Sequence, residues 1–409
     1  MTPDGLESAG AVLLWNTAIP FVASLSACAA AVGLCSEPMR KLDPGAHWTE
    51  VARAYWPVRT AGTIASVWVV LAAMFAFKEQ FLLPGRAWLA PVIFLASLGG
   101  CIIGRKISYR GLHIPATARA GGVRAILTRQ LSYPGPILLC TLIALTWQDE
   151  LGLRALLITA AVFVLGVLLV LGGSSAILRF TGLARPAGSE LEGLSRELVA
   201  EAGAPLRHVL VLDLPMANAF AFFATKDLAF TPSLLSILDE AELKAVIRHE
   251  IGHLKESVIV LWLRMPSLLG YLLLGLVPAA IRSGGPLNAV PLILIWFFIS
   301  RIATRLHRTH EQAADDHALG GKAADPAYAR ALEKIHEAGL IPALIAKRHA
   351  YPSLGERMLA AGVAPDFPEP APPSPSFGVL CAVLAVGIFF FLCSGLAWVA
   401  ETLLDYWPG

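Results

Sequence analysis

Charge is what this chain has least of. Of its 409 residues only 15% are Asp, Glu, Lys or Arg, while 56% are hydrophobic and the mean hydropathy is +0.64. Soluble domains carry about 25% charged residues, so the deficit excludes an ordinary soluble protein and points to the membrane. The net charge of +2 is too balanced to suggest a nucleic-acid partner, and no basic stripe is interleaved with aromatics. There is no C-x-x-C pair. Cys28, Cys35, Cys101, Cys140, Cys381 and Cys393 lie in or beside apolar runs, as small buried hydrophobes rather than disulfides or zinc thiolates. No basic region precedes the first apolar run, only the acidic "MTPDGLESAG", so that run is expected to be an uncleaved span. No fixed-period repeat is evident.

What the chain has in excess is apolar length. A transmembrane helix needs about 20 mostly apolar residues. Eight segments qualify: 11–34, 61–83, 87–104, 131–147, 154–177, 258–281, 287–304 and 377–400. The 35–60 loop holds Arg40, Lys41, Arg53 and Arg59. The 105–130 loop holds Arg105, Lys106, Arg110, Arg119, Arg124 and Arg129 with no acid. The intervening loops, "KEQFLLPGR" and "QDELGLR", are short and poor in Lys and Arg. Basic loops stay cytoplasmic, so both termini are expected outside and segments 178–257 and 305–376 inside. The 105–130 loop reads as a topology determinant beside anionic headgroups.

The expected division is a membrane region of five spans (1–177), a first polar segment (178–257), two spans (258–304), and a second polar segment (305–363). A proline-rich spacer, "APDFPEPAPPSPS" (364–376), and a last span (377–409) follow.

Within the first polar segment, "SELEGLSRELVAEAG" has helical periodicity and ends at glycine. "RHVLVLDL" (207–214) alternates like a strand, and "NAFAFFAT" (218–225) and "DLAFTPSLL" (227–235) read as further extended pieces. Asp239 followed by Glu242 resembles a capping box and predicts a helix of about 18 residues carrying "HEIGH". Between Asp239 and Glu256 that helix also holds Glu240, Glu242, Lys244, Arg248 and Lys255. Each charge at a bilayer centre costs about 2.5–3.5 kcal/mol, so this helix does not span. A site-2-type intramembrane protease, whose H-E-x-x-H lies in a spanning helix, is disfavoured. That family's "LDG" is also missing, the nearest string being "LDE" at 238–240.

Positions i and i+4 share a helix face, so His249 and His253 can present imidazoles to one zinc ion, with Glu250 beside them as a base for water. A catalytic zinc needs a third protein ligand and one open position. "RTHEQAADDHALG" (308–320) offers Glu311, with His307, His310 and His317 as rivals. Asp315, one turn on, can orient a histidine through its ring N–H, and the alanines between permit close helix approach.

"HEIGH" followed by "EQAAD" resembles the H-E-x-x-H and E-x-x-A-D pair of integral-membrane zinc metallopeptidases of the CAAX prenyl protease and HtpX type. "NAFA" (218–221) is similar to that family's edge strand, and "YPSLGER" (351–357) to its late H-P-x-x-x-x-R element. The likeness covers about 205–357. It implies a multi-pass α-helical membrane protein of about eight spans with a cytoplasmic α+β zincin-like domain. It further implies one Zn2+ per chain on His249, His253 and Glu311, Glu250 as general base, and Asp315 supporting a ligand. Asn218, Ala219 and Phe220 then lie on the strand that holds the substrate backbone.

Arg357 matches the late arginine. Tyr351 stands where the family usually has histidine, with His349 two residues earlier, and Ser233 where glycine is common. Oxyanion stabilisation is open among Arg357, Tyr351 and His349.

The expected activity is hydrolysis of membrane or membrane-associated proteins at the cytoplasmic face, in a bacterial inner membrane. The partners are therefore the lipid bilayer and membrane-protein or lipidated-peptide substrates, without nucleic acid. CAAX-type processing and a non-catalytic metal-binding sensor or scaffold are the rival readings. A transporter is disfavoured by the few ionisable residues in the spans. Nothing in the sequence speaks to oligomeric state.

Overall fold

The computed structural model describes residues 3–77, 86, 88–115, 117–118, 128, 152–256, 273, 276–320, 325–345, 352–367 and 370–406. The chain divides into two compact units: Met1–His113 with Pro373–Gly409, and Ile114–Pro372.

The first unit is a helix bundle of α1 (Pro3–Cys35), α2 (Trp48–Ala76), α3 (Leu89–Ser108) and, last in chain order, α12 (Pro375–Tyr406). α1 packs against the other three. The closest approach is set by G-x-x-x-G spacing in α3. A Cβ at Gly100 would lie 2.3 Å from the Phe21 carbonyl oxygen, and one at Gly104 2.3 Å from that of Leu25. Only glycine allows such backbone contact, and dispersion between close helices replaces the hydrophobic drive that lipid cannot supply. Large apolar side chains point outward instead, as with Leu95, Ile103 and Phe391, which suits a hydrocarbon solvent.

Among the described residues five helices are long and apolar enough to cross a membrane: Trp15–Cys35, Trp48–Ala76, Leu89–Ser108, Pro286–Leu319 and Ser376–Leu396. They answer the expected spans 11–34, 61–83, 87–104, 287–304 and 377–400. The second begins earlier than its hydropathy shows, so Arg53 and Arg59, expected in a loop, sit in the first turns of α2. Expected span 131–147 lies outside the described residues, as does most of 258–281, of which 273 and 276–281 are described. Expected span 154–177 is not one straight helix. α4 (Leu153–Leu168) runs through a π-turn, Leu169–Gly173, into α5 (Ser174–Phe180), and Gly172 takes φ +132°. That conformation is open to glycine and breaks the helical ladder.

The second unit continues with β1 (Ala184–Pro186), α6 (Ser189–Glu201), β2 (His208–Leu212), β3 (Ala219–Phe222), β4 (Asp227–Phe230), α7 (Pro232–Ile237), α8 (Glu240–Leu254), α9 (Ala289–Leu319), α10 (Pro326–Gly339) and α11 (Leu354–Ala360). The sheet order is β1-β2-β4-β3, with β2 and β4 parallel and the other pairs antiparallel. β3 is therefore an edge strand. Alternation sends Val209, Ala219, Leu228 and Phe230 to one face, packed with Val246, Ile247, Ile251 and Leu254 of α8. Leu210, Leu212, Phe220 and Ala229 go to the other.

The expected extended piece 227–235 stops at Phe230. Thr231 accepts a hydrogen bond from the Leu234 N–H and Pro232 opens α7, a combination that starts helices. The short β1 is not evident in the sequence. α8 carries the expected capping box: Asp239 Oδ1 accepts from the Glu242 N–H at 2.9 Å and Glu242 Oε2 from the Asp239 N–H at 2.9 Å. It runs 15 residues rather than 18. α9 is longer than expected, carrying the seventh apolar run straight into "EQAAD" as one 31-residue helix.

Candidate metal centre

α8 and α9 meet at small residues. A Cβ on Gly252 would lie 2.9 Å from Ala314 Cα, so these two positions bring the "HEIGH" and "EQAAD" faces together. Among the described residues, the one group of three potential ligands is His249, His253 and Glu311, with one donor atom from each, all within 4.8 Å of one another. His249 Nε2 is 3.8 Å from Glu311 Oε2, and His253 Nε2 is 3.7 Å from Glu311 Oε1. Bonds of 2.0–2.2 Å in a tetrahedron put neighbouring donors about 3.4 Å apart. The donor set and spacing fit zinc. His307 Nε2 reaches Glu311 Oε1 at 3.8 Å but does not complete the group.

The far nitrogens of both imidazoles are occupied. His253 Nδ1 is 2.7 Å from Glu256 Oε1. His249 Nδ1 is 2.9 Å from the Tyr328 hydroxyl and 3.1 Å from Asp315 Oδ1. Tyr328 donates its own proton to Asp315 Oδ1, and Arg357 donates to Asp315 Oδ2 (2.9 Å), Asp315 Oδ1 (2.6 Å) and the Tyr328 oxygen (2.8 Å). With its hydroxyl proton committed to Asp315, Tyr328 offers His249 an acceptor. Both rings therefore carry the proton on Nδ1 and leave Nε2 as the lone-pair donor.

Asp315 takes the orienting place expected of it. Arg357, a candidate for the oxyanion, is instead bidentate to Asp315, so at least two of its five N–H groups are committed there.

The field is negative at the centre. Burial raises the Glu250 carboxyl above the usual range against the pull of His249, His253 and Arg357. Burial alone would depress His253, but the Glu256 hydrogen bond and the charges of Glu250 and Glu311 outweigh it and raise it. Surroundings that favour an imidazolium also favour a cation between the rings. Burial lifts the Tyr328 phenol well above its ordinary range, keeping it a donor to Asp315.

The residues expected on the substrate strand, 218–220, lie at and just before β3, which packs on this helix. Asn218 precedes β3, with its backbone N–H and carbonyl bonded to Thr231. Ala219 is buried on the α8 face and Phe220 on the opposite face, stacked on Phe222. Phe220 can thus meet a ligand through its backbone alone. Ser233, at the position where glycine is common, donates to the Pro215 carbonyl at 2.7 Å. Tyr351 and His349 lie outside the described residues.

Sequence reasoning missed Tyr328 and Glu256. Glu256 carried a signal, since a carboxylate three residues after His253 falls within reach of its outer nitrogen. Tyr328, in "PAYAR", carried none.

An H-E-x-x-H helix under a sheet with an edge strand, completed by a glutamate from a second helix, defines the metallopeptidase class of centre. Residues 188–373, a little under half of the chain, match the model of peptidase family M48. Similar proteins include the "Protease HtpX homolog" of Pyrobaculum aerophilum, 33% identical over 218 residues (49% of this chain, 62% of the relative). That of Archaeoglobus fulgidus is 33% identical over 141 residues (32% and 42%), and that of Ralstonia nicotianae 30% over 178 residues (40% and 61%). The chain spans less than two thirds of the length of each of these relatives. The resemblance read from "HEIGH", "EQAAD" and "NAFA" to HtpX-type membrane metallopeptidases is borne out.

Proposed function

We propose that this protein is a membrane-bound zinc metalloendopeptidase that cleaves membrane or membrane-associated proteins at the cytoplasmic face. One observation carries the reading: His249, His253 and Glu311 converge, with the outer nitrogens of both rings already paired. A zinc ion on these residues supplies Lewis-acid polarisation of the scissile carbonyl and acidifies water to a pKa near 7.

The chain's own groups do the rest. Glu250 takes the proton of the attacking water on its carboxylate and hands it to the leaving nitrogen. Glu256 and Tyr328 hold the two rings in orientation. β3, as an edge, pairs with an extended substrate and sets its register over α8. The apolar first half of α9 keeps the site against the bilayer, which favours substrates that are themselves membrane-bound. Arg357 acts on the centre through Asp315, and Arg357, Tyr351 and His349 remain the candidates for the oxyanion donor.

The test is Glu250→Gln in the full-length protein. Cleavage of casein or of a trapped native substrate should fall by about 10²–10⁴ while metal content stays at one zinc per chain. A Gln protein as active as the parent, or a parent indifferent to chelator, would sink the reading.

A further inference from the structure

The turn between β3 and β4, residues 223–226, joins Phe222 to Asp227, which face each other across the two strands. Inside it Lys226 takes φ +60°, a left-handed conformation that glycine adopts freely and a residue with a Cβ does not. Turn chemistry alone favours glycine or asparagine at such a position. What lysine adds there lies in its side chain.

Lys226 Nζ donates to the Leu254 carbonyl at 2.8 Å. Leu254 is the last residue of α8 and directly follows the ligand His253. The ammonium therefore caps the carbonyl end of the ligand helix, where a cation is favoured. On its way the side chain passes the Phe223 ring, with Nζ 5.8 Å from the centroid. Burial lowers the Lys226 ammonium from its usual range, against the pull of the Glu256 carboxylate that holds His253 at 2.7 Å. The backbone of the turn is fixed as well. The Arg207 N–H donates to the Lys226 carbonyl at 2.7 Å. One residue earlier, a Cβ on Gly172 would lie 2.6 Å from the Thr225 methyl carbon, so the turn also packs on the π-turn between α4 and α5.

The consequence falls on β3. An edge strand offers an extended substrate the same backbone bonds in several registers, and a slip of two residues keeps the same side-chain faces. Which substrate carbonyl comes over the ligands is decided by where β3 sits along α8. Ala219, packed on α8, holds one end of the strand. Lys226 holds the other, by tying the turn to the carbonyl beside His253. Resting on the peptidase reading above, we infer that Lys226 is a positioning residue that locks the substrate strand to the end of the ligand helix and so sets the register of cleavage.

The test compares the full-length parent with Lys226→Met, Lys226→Gly and Lys226→Arg in detergent. Cleavage sites in casein are mapped by mass spectrometry, and amide hydrogen exchange is followed with zinc and no substrate. Met keeps the strained backbone and loses the donor; Gly loses the donor and relaxes the backbone, which protects the comparison if Met folds poorly. In both, exchange at residues 219–226 and 252–256 should rise together by about fivefold or more, while the capping-box end, 239–243, stays as in the parent. Cleavage should spread to bonds two residues away, with kcat about tenfold lower and zinc content unchanged. Arg still reaches the carbonyl and should restore the parent's sites. Parent-like exchange in both the Met and Gly proteins, or parent cleavage sites in both, overturns the inference and leaves the peptidase reading standing. A parent that cleaves nothing overturns that reading and the positioning role with it.

Discussion

Two arginines, one in each unit, lie against a tyrosine ring in nearly the same way. Arg357 is 5.9 Å from the ring centroid of Tyr328 and Arg105 is 6.0 Å from that of Tyr109. Arg357 has both oxygens of Asp315 and the Tyr328 hydroxyl; among the described residues Arg105 has one distant hydroxyl and no acceptor for its Nε–H. A closed pair inside a protein fixes geometry, because breaking it strands a buried charge. An open one fixes less, because removing it strands no opposite charge. The difference separates an arginine that holds a carboxylate in place from one that is only packed against a ring.

Arg357→Met should give the largest effect. It leaves Asp315 buried beside the metal centre without its counter-charge, and the thermal midpoint should drop by the equivalent of about 3–5 kcal/mol, whatever lipid surrounds the protein. Arg105→Met should be near neutral in the same measurement, because it leaves no buried carboxylate unpaired. If both variants lower the midpoint alike, the contrast fails.

Tyr328→Phe comes next. It removes the hydroxyl that faces His249, Asp315 and Arg357 together, and zinc affinity measured against a competing chelator should weaken by about 10–100-fold. Glu256→Gln should do less, since an amide oxygen still accepts from His253; equal losses would mean that His253, not His249, is the more dependent ring.

The smallest effect tests whether the second unit tolerates a new charge. Burial depresses His336 to about 4, and its Nδ1 is satisfied by the Leu332 carbonyl at 2.8 Å. Its unfolded value is about 6.5, so between these pH values the unfolded chain binds the extra proton. Its contribution to stability is complete above pH 6.5 and is lost as pH falls toward 4, at no more than about 1.4 kcal/mol per pH unit. His336→Gln should flatten this part of a pH–midpoint curve; an unchanged slope would assign it to carboxylates.

Much of the centre was legible because it is local. Helical period places His249 and His253 on one face, and Asp239 with Glu242 fixes where that helix begins. The G-x-x-x-G at Gly100 and Gly104 was equally local but went unread, because its meaning depends on Phe21 and Leu25 lying opposite. The run 154–177 hid its kink for a related reason: hydropathy averages over Gly172, whose single dihedral interrupts the helix.

The sequence by itself determined that apolar runs would enter a membrane, that a charged helix would not, and that two histidines and a glutamate would share a helical turn. Each follows from composition or from the 3.6-residue period. Only the tertiary structure decided that Glu311 rather than His307 completes the group, and that Arg357 pairs with Asp315, 42 residues away. It also decided that Arg105 turns into a notch at Gly62. Those choices rest on how close two helices come, a distance set by side chains such as Gly252 and Ala314 on elements far apart in the chain.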